Sequence, residues 1–138
     1  MTSQLKIRYP GLDGRVALVT GANHGIGAAT ARELAAHGSA VGVMYLRLRD
    51  VPDPGTPATY ATGRAGDAEP VVKAIRGLGG RAIAIEADLR DAANIPALFD
   101  RVEAELGPVE ILVNNASGWR TDPSPRAKRT HWDGQSDP

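Results

Sequence analysis

Thr20-Gly21-Ala22-Asn23-His24-Gly25-Ile26-Gly27 follows the apolar run Val16-Ala17-Leu18-Val19 and precedes a helical pattern that reaches His37 and stops at Gly38. The apolar run is entered from the turn Asp13-Gly14-Arg15 and reads as a buried strand over about 15–20. A strand, a glycine turn and a helix N-terminus in succession form an anion cradle. The free N–H groups of the first helical turn and the positive end of the helix dipole point at the same place.

Working outward, apolar runs alternate with helical patterns, as in a parallel α/β sheet with crossover helices. The first helix presents Ile26, Ala29, Thr30, Glu33, Leu34 and His37, and its small residues Gly27, Ala28 and Ala31 allow close approach to a sheet. A second strand spans 40–46. The segment 47–66 holds Pro52, Pro54, Pro57, Gly55 and Gly63 and reads as a long exposed loop. A second helix, over about 67–78, carries Val71, Val72, Ile75 and Leu78 on one face and ends at Gly79-Gly80. The third strand is 81–86. The third helix runs to Leu106 with Leu98, Phe99, Val102 and Leu106 as its face, Pro96 in its first turn and Asn94 or Asp91 as its cap. The fourth strand is 109–113, ending at Asn114-Asn115-Ala116-Ser117-Gly118.

Composition narrows the function classes. Sixteen basic residues balance sixteen acidic ones, so no global field points to nucleic acid or an anionic membrane. There is no cysteine, which excludes disulfides and thiolate metal sites and suits a cytoplasmic setting. The first ten residues lack the apolar stretch of a secretory signal, and no apolar run approaches the roughly 20 residues of a membrane span. Residues 119–138, with three prolines and little apolar content, read as an irregular, disordered tail.

Three elements fall at the ends of successive strands: Thr-Gly-x-x-x-Gly-Ile-Gly at 20–27, Ala87-Asp88-Leu89, and Asn114-Asn115-Ala116. Together, in this order, they make residues 12–118 resemble the N-terminal half of a short-chain dehydrogenase/reductase. The glycine spacing is G-x-x-x-G-x-G, unlike the commoner dinucleotide pattern G-x-G-x-x-G. The resemblance implies a Rossmann-like doubly wound parallel sheet. It is incomplete here, with four strands in the order 3-2-1-4, and residues 1–118 form the NAD(P)-binding half-domain.

The resemblance also implies a cofactor site at the carboxyl edge of the sheet. The glycine turn contributes Gly21, Asn23, His24, Gly25, Ile26 and Gly27. Asp88 and the Leu89 N–H face the adenine, and Asn115 and Ala116 underlie the nicotinamide ribose. Ser117 stands where the family usually has glycine and adds a side chain beside the cofactor. By residues alone, His24 is as readily a solvated loop residue as a phosphate contact.

The end of the second strand, Val43-Met44-Tyr45-Leu46-Arg47-Leu48-Arg49, has no acid before Asp50. Tyr45 occupies the position where an acid would bind the adenosine 2′-hydroxyl, and Arg47 offers a guanidinium to a 2′-phosphate. NADP is expected over NAD. No metal site is expected.

The family's catalytic tyrosine, its lysine four residues on, and its serine have no counterpart. Tyr60 is followed at that spacing by Arg64. The expectation is a truncated NADP-dependent carbonyl/alcohol oxidoreductase that binds cofactor without turnover, its fourth strand leaving a sheet edge open to self-association. A non-catalytic nucleotide-binding or regulatory module completed by a partner chain is the alternative. A Rossmann-like methyltransferase is disfavoured by the glycine spacing and by Asn114-Asn115-Ala116.

Overall fold

The computed structural model describes residues 9–48 and 55–117. Its strands are β1 (Val16–Val19), β2 (Ala40–Tyr45), β3 (Ala82–Glu86) and β4 (Ile111–Val113). The helices are α1 (Gly25–Ala36), α2 (Ala58–Ala65), α3 (Glu69–Gly77) and α4 (Asn94–Leu106). All three strand pairings are parallel, and the sheet order is β3-β2-β1-β4. This is the Rossmann-like 3-2-1-4 arrangement that the family resemblance implies, and its parallel pairings are those expected from the alternation of patterns. Parallel neighbours require crossovers, so every strand points the same way and all four carboxyl ends share one edge.

The central strands β1 and β2 are buried on both faces, whereas β4 has no fully buried residue. On one face α1 and α3 enclose Val19, Val41, Val43, Val71, Val72 and Ile75. On the other, α4 brings Leu98 and Val102 against Leu18, Met44 and Ile85. Strands covered on both faces read as continuous apolar runs, and all four β1 residues are buried. Arg15 and Glu110 form an ion pair at the entries of β1 and β4.

Several sequence expectations are corrected. Residues 58–65 of the supposed loop form α2, because Ala58-Thr59-Tyr60-Ala61-Thr62 is helix-compatible once Pro57 has fixed the chain at its entry. Gly63 lies inside that helix because a Cβ there would stand 2.8 Å from the His24 ring. It is a close-approach glycine, not a helix breaker. Ile26 is 80% exposed and Leu78 is 89% exposed. The sheet-facing stripe of α1 is Gly27, Ala28 and Ala31, since small residues let its axis approach the strands. Neither Asn94 nor Asp91 caps α4: Ala93 holds the cap position without a side-chain bond. The Asp91 carboxylate accepts the Ala93 N–H, and Asn94 donates its amide to the Asp88 carbonyl. The expected tail, 119–138, lies outside the described residues.

Two glycines test the close packing. A Cβ on Gly27 would lie 2.4 Å from the Gly21 carbonyl oxygen and 2.5 Å from the Asn115 amide nitrogen, whereas one on Gly77 would meet nothing within 4 Å. Gly27→Ala is expected to destabilise the chain by roughly 2–4 kcal/mol through overpacking. Gly77→Ala is expected to be neutral or to stabilise by up to about 1 kcal/mol. Urea unfolding of both variants measures the contrast.

Candidate cofactor-binding site

The chain leaves β1 at Thr20, whose side chain is buried. The Thr20 hydroxyl donates to the Val113 carbonyl at 3.3 Å and accepts the N–H groups of Asn115 and Ala116 at 3.1 and 3.0 Å. Asn115 returns the contact, its amide donating to the carbonyls of Thr20 and Gly21 at 3.1 and 3.0 Å. On the other side, the Ala22 N–H donates to the Met44 carbonyl of β2 at 2.9 Å. The turn is therefore tied to both neighbours of β1.

The glycines divide the work. Gly21 has φ +63°, and a Cβ there would lie 2.9 Å from the Ala116 Cα. Gly25 also has positive φ (+57°), but a Cβ on it would enter open space. That open space lies at the start of α1, where His24 occupies the cap position in extended backbone without a side-chain cap bond. No acidic residue stands in the first turn. The N–H groups of Gly25, Ile26 and Gly27 precede the first i→i−4 bond and so have no helical acceptor. An uncapped N-terminus over a cleared turn is suited to a phosphate.

Asn23 and His24 are engaged elsewhere. The Asn23 amide donates to the carbonyls of Gly63 and Gly66 at 3.2 and 2.8 Å, and its carbonyl oxygen pairs with His24 Nδ1 at 3.1 Å. This pairing assigns the proton to Nδ1 in the neutral ring. The His24 ring meets Tyr60 edge-on at 5.7 Å between centroids, and the Arg64 guanidinium lies over Tyr60 at 5.4 Å. Burial, then the nearby Arg64 charge, lowers the His24 pKa. Both side chains thus anchor α2 to the glycine turn, a role the sequence did not disclose.

The second part of the edge lies over β2 and β3. Tyr45 is half-buried against the α1–α3 face of the core. Burial first, and then the Glu86 charge, raise its pKa. Arg47 reaches the neighbouring strand, where Nε and Nη2 donate to Glu86 Oε2 at 3.2 and 2.9 Å. Glu86 was missed in the sequence because it meets Arg47 only through the β2–β3 pairing, in which its register partner is Tyr45. Asp88 follows β3. Its carboxylate accepts the Arg90 side chain at 2.7–3.1 Å and the Arg90 backbone N–H at 2.9 Å. These bonds hold its pKa down to about 2, so the group is anionic at neutral pH. The Leu89 side chain packs against the α4 side of the core. A cavity of about 330 Å³ opens beside Asp88, floored by Ile85 and Leu98 and edged by Leu46 and Arg101.

The structure brings Gly21, Gly25, Gly27, Asn115 and Ala116 into one cluster, with Ile26 and Ser117 exposed at its margin. Tyr45, Arg47, Asp88 and Leu89 lie farther along the same edge, at the ends of β2 and β3. Among the described residues, no group of His, Asp or Glu could hold a metal ion. No helix there is long and apolar enough to cross a membrane.

Two consequences are measurable. Thr20→Val keeps the shape but removes the acceptor of the Ala116 N–H and one of the two acceptors of the Asn115 N–H, and an expected loss of about 1–3 kcal/mol can be read from urea unfolding. His24 adds a pH dependence. Its folded pKa lies below the ordinary value, so the unfolded chain binds more protons as the ring titrates, and stability falls on acidification. From about pH 7.5 to about pH 5.5 the wild type should lose more stability than His24→Gln does.

Comparison with known proteins accords with this geometry. The short chain dehydrogenase family model matches residues 55–135, more than half of the chain. Short chain dehydrogenase claC of Passalora fulva is 44% identical over 105 residues, covering 76% of this chain and 33% of that protein. Elsinochrome reductase 1 of Elsinoe fawcettii is 42% identical over 105 residues, with 76% and 33% covered. A Burkholderia cenocepacia short chain dehydrogenase solved with NADP superposes with a TM-score of 0.64. It is 40% identical, with 80% of this chain and 39% of that one covered. The chain thus spans about a third of the length of these curated relatives. With the glycine turn, the parallel sheet and the Asn115–Ala116 contact in place, the chain belongs to the short chain dehydrogenase family.

Proposed function

We propose that residues 1–118 form the dinucleotide-binding unit of an oxidoreductase that moves hydride between NADP(H) and a carbonyl or alcohol substrate. The observation that carries this reading is the uncapped start of α1 over the open space at Gly25, in a turn that Ala116 and the Asn115 amide pack against at Gly21 and Gly27. The residues present fit the cofactor. The N–H groups of Gly25, Ile26 and Gly27 would hold the pyrophosphate, with Ser117 at the nicotinamide side. The cavity beside Asp88 would take the adenine, with Leu89 following in the chain. The nicotinamide supplies the hydride.

Asn115 belongs to this site as the support of the turn. Asn23 and His24 support it from the other side by holding α2. Tyr45 stands where an acid would favour the ribose hydroxyls, and Arg47 offers a cation to the 2′-phosphate. The relative solved with NADP supports the same preference.

None of Tyr9, Tyr45 and Tyr60 has a lysine four residues beyond it. These 138 residues alone are therefore expected to bind the cofactor without turning over a carbonyl substrate. The proposed setting is the cytoplasm, which suits a chain without cysteine. The proposed route to self-association is the β4 edge, where Leu112 is 48% exposed.

Fluorescence titration of the chain with NADPH and NADH tests the reading. NADPH should bind more tightly, and Arg47→Asp should weaken NADPH by roughly tenfold or more with little effect on NADH. Equal affinity for the two cofactors, or an Arg47→Asp variant with unchanged NADPH affinity, would contradict the assignment.

A further inference from the structure

We propose that Glu86 is an internal competitor for the cofactor's 2′-phosphate and limits the preference for NADP that Arg47 confers. This rests on the NADP reading above. Glu86 accepts the Nε and Nη2 edge of Arg47, with its second oxygen 3.4 Å from Nε. A carboxylate in this two-point geometry occupies donors that a phosphate would also use. The register explains why the two meet. Glu86 pairs with Tyr45 across β2 and β3, and side-chain alternation returns Arg47, two residues after Tyr45, to the same face.

The strand order gives the competition its direction. The glycine turn follows β1, on one side of β2, while Glu86 ends β3, on the other. Glu86 therefore draws the guanidinium toward β3 and commits its Nε–Nη2 edge there. Three carboxylates act on this end of β2: Glu86, Asp67 and Glu69, with Asp67 reaching both Arg47 and Tyr45. A dianionic 2′-phosphate would displace Glu86 from Arg47 and remain close to its charge. NADH, with a neutral 2′-hydroxyl, meets neither cost. The pair is accessible for such an exchange, its side chains being 52% and 35% exposed.

The opposite role can be stated in equally concrete terms. Glu86 could hold Arg47 so that its remaining Nη edge faces the phosphate, making it a positioning residue. The two roles give opposite signs on removal of the charge.

The test is a double-mutant cycle on the full chain, with NADPH and NADH affinities for the wild type, Glu86→Gln, Arg47→Gln and the double variant. Glu86→Gln should tighten NADPH binding by roughly fivefold to tenfold and leave NADH within about twofold. The double variant should match Arg47→Gln, because the effect of Glu86 passes through Arg47. Glu86→Ala, with its melting temperature, guards against a folding defect in a single substitution. Weaker or unchanged NADPH binding in Glu86→Gln overturns the proposal, as does equal tightening in the Arg47→Gln background. If Arg47→Gln weakens NADPH while Glu86→Gln does nothing, this inference fails and the NADP reading stands. If the wild type shows no preference for NADPH, both fall.

Discussion

The hydrogen bonds between Thr20 and the segment after β4 are the constraint on which the site depends. One buried hydroxyl serves the Val113 carbonyl and the N–H groups of Asn115 and Ala116, and the Asn115 amide closes the circuit on Thr20 and Gly21. With β1 and β4 fixed this way, Asn115 occupies the space beneath Gly27, and Ala116 lies against Gly21. A side chain at either glycine would push the two loops apart. Glycine at those positions is the steric consequence of a polar contact, and the contact also determines where α1 starts. In its first turn Gly25 and Ile26 are exposed while Gly27 is buried against the turn, and the N–H groups before the first helical bond have no helical acceptor.

The other side of the turn is secured by a different means. α2 adds no buried residue to the core, yet its Gly63 and the cap residue Gly66 accept two bonds from Asn23, and its Tyr60 meets His24 edge-on. Its contribution is local order at the turn rather than global burial. A polar and aromatic contact of this kind has little apolar area behind it, so it belongs to the low-stability end of the molecule. The neutral state of His24 then matters, because protonation would place a second cation next to Arg64.

The strands and helices of the sheet were legible in the sequence because Val16–Val19, Ala40–Tyr45 and the alternating helical stripes report burial directly, while the strand order came from the family resemblance. Positions that depend on tertiary neighbours were less legible. Gly63 resembled a loop residue, but its reason is the His24 ring, 39 positions earlier. Leu78 and Ile26 fit their helical periodicities and are still exposed, because each sits at a helix end that extends past the strands. Asn115 was singled out in the sequence for the segment after β4, where it lies. Its amide, however, is committed to the turn, and a sequence motif does not say where a side chain's bonds go.

Arg47 and Glu86 show the same limit in electrostatics. A guanidinium at the end of β2 is visible in the sequence, and taken alone it argues for a 2′-phosphate. Its environment is set by β3, where alternation sends Ile83 and Ile85 to the α4 side and leaves Glu86 on the face of Tyr45. Shifting that register by one residue would bury the carboxylate and expose an isoleucine, so core packing holds Glu86 in place. The charge at this edge therefore follows from the pairing of two strands as well as from the residues of one. The same apolar pattern that builds the sheet places an anion beside the cation read from the motif.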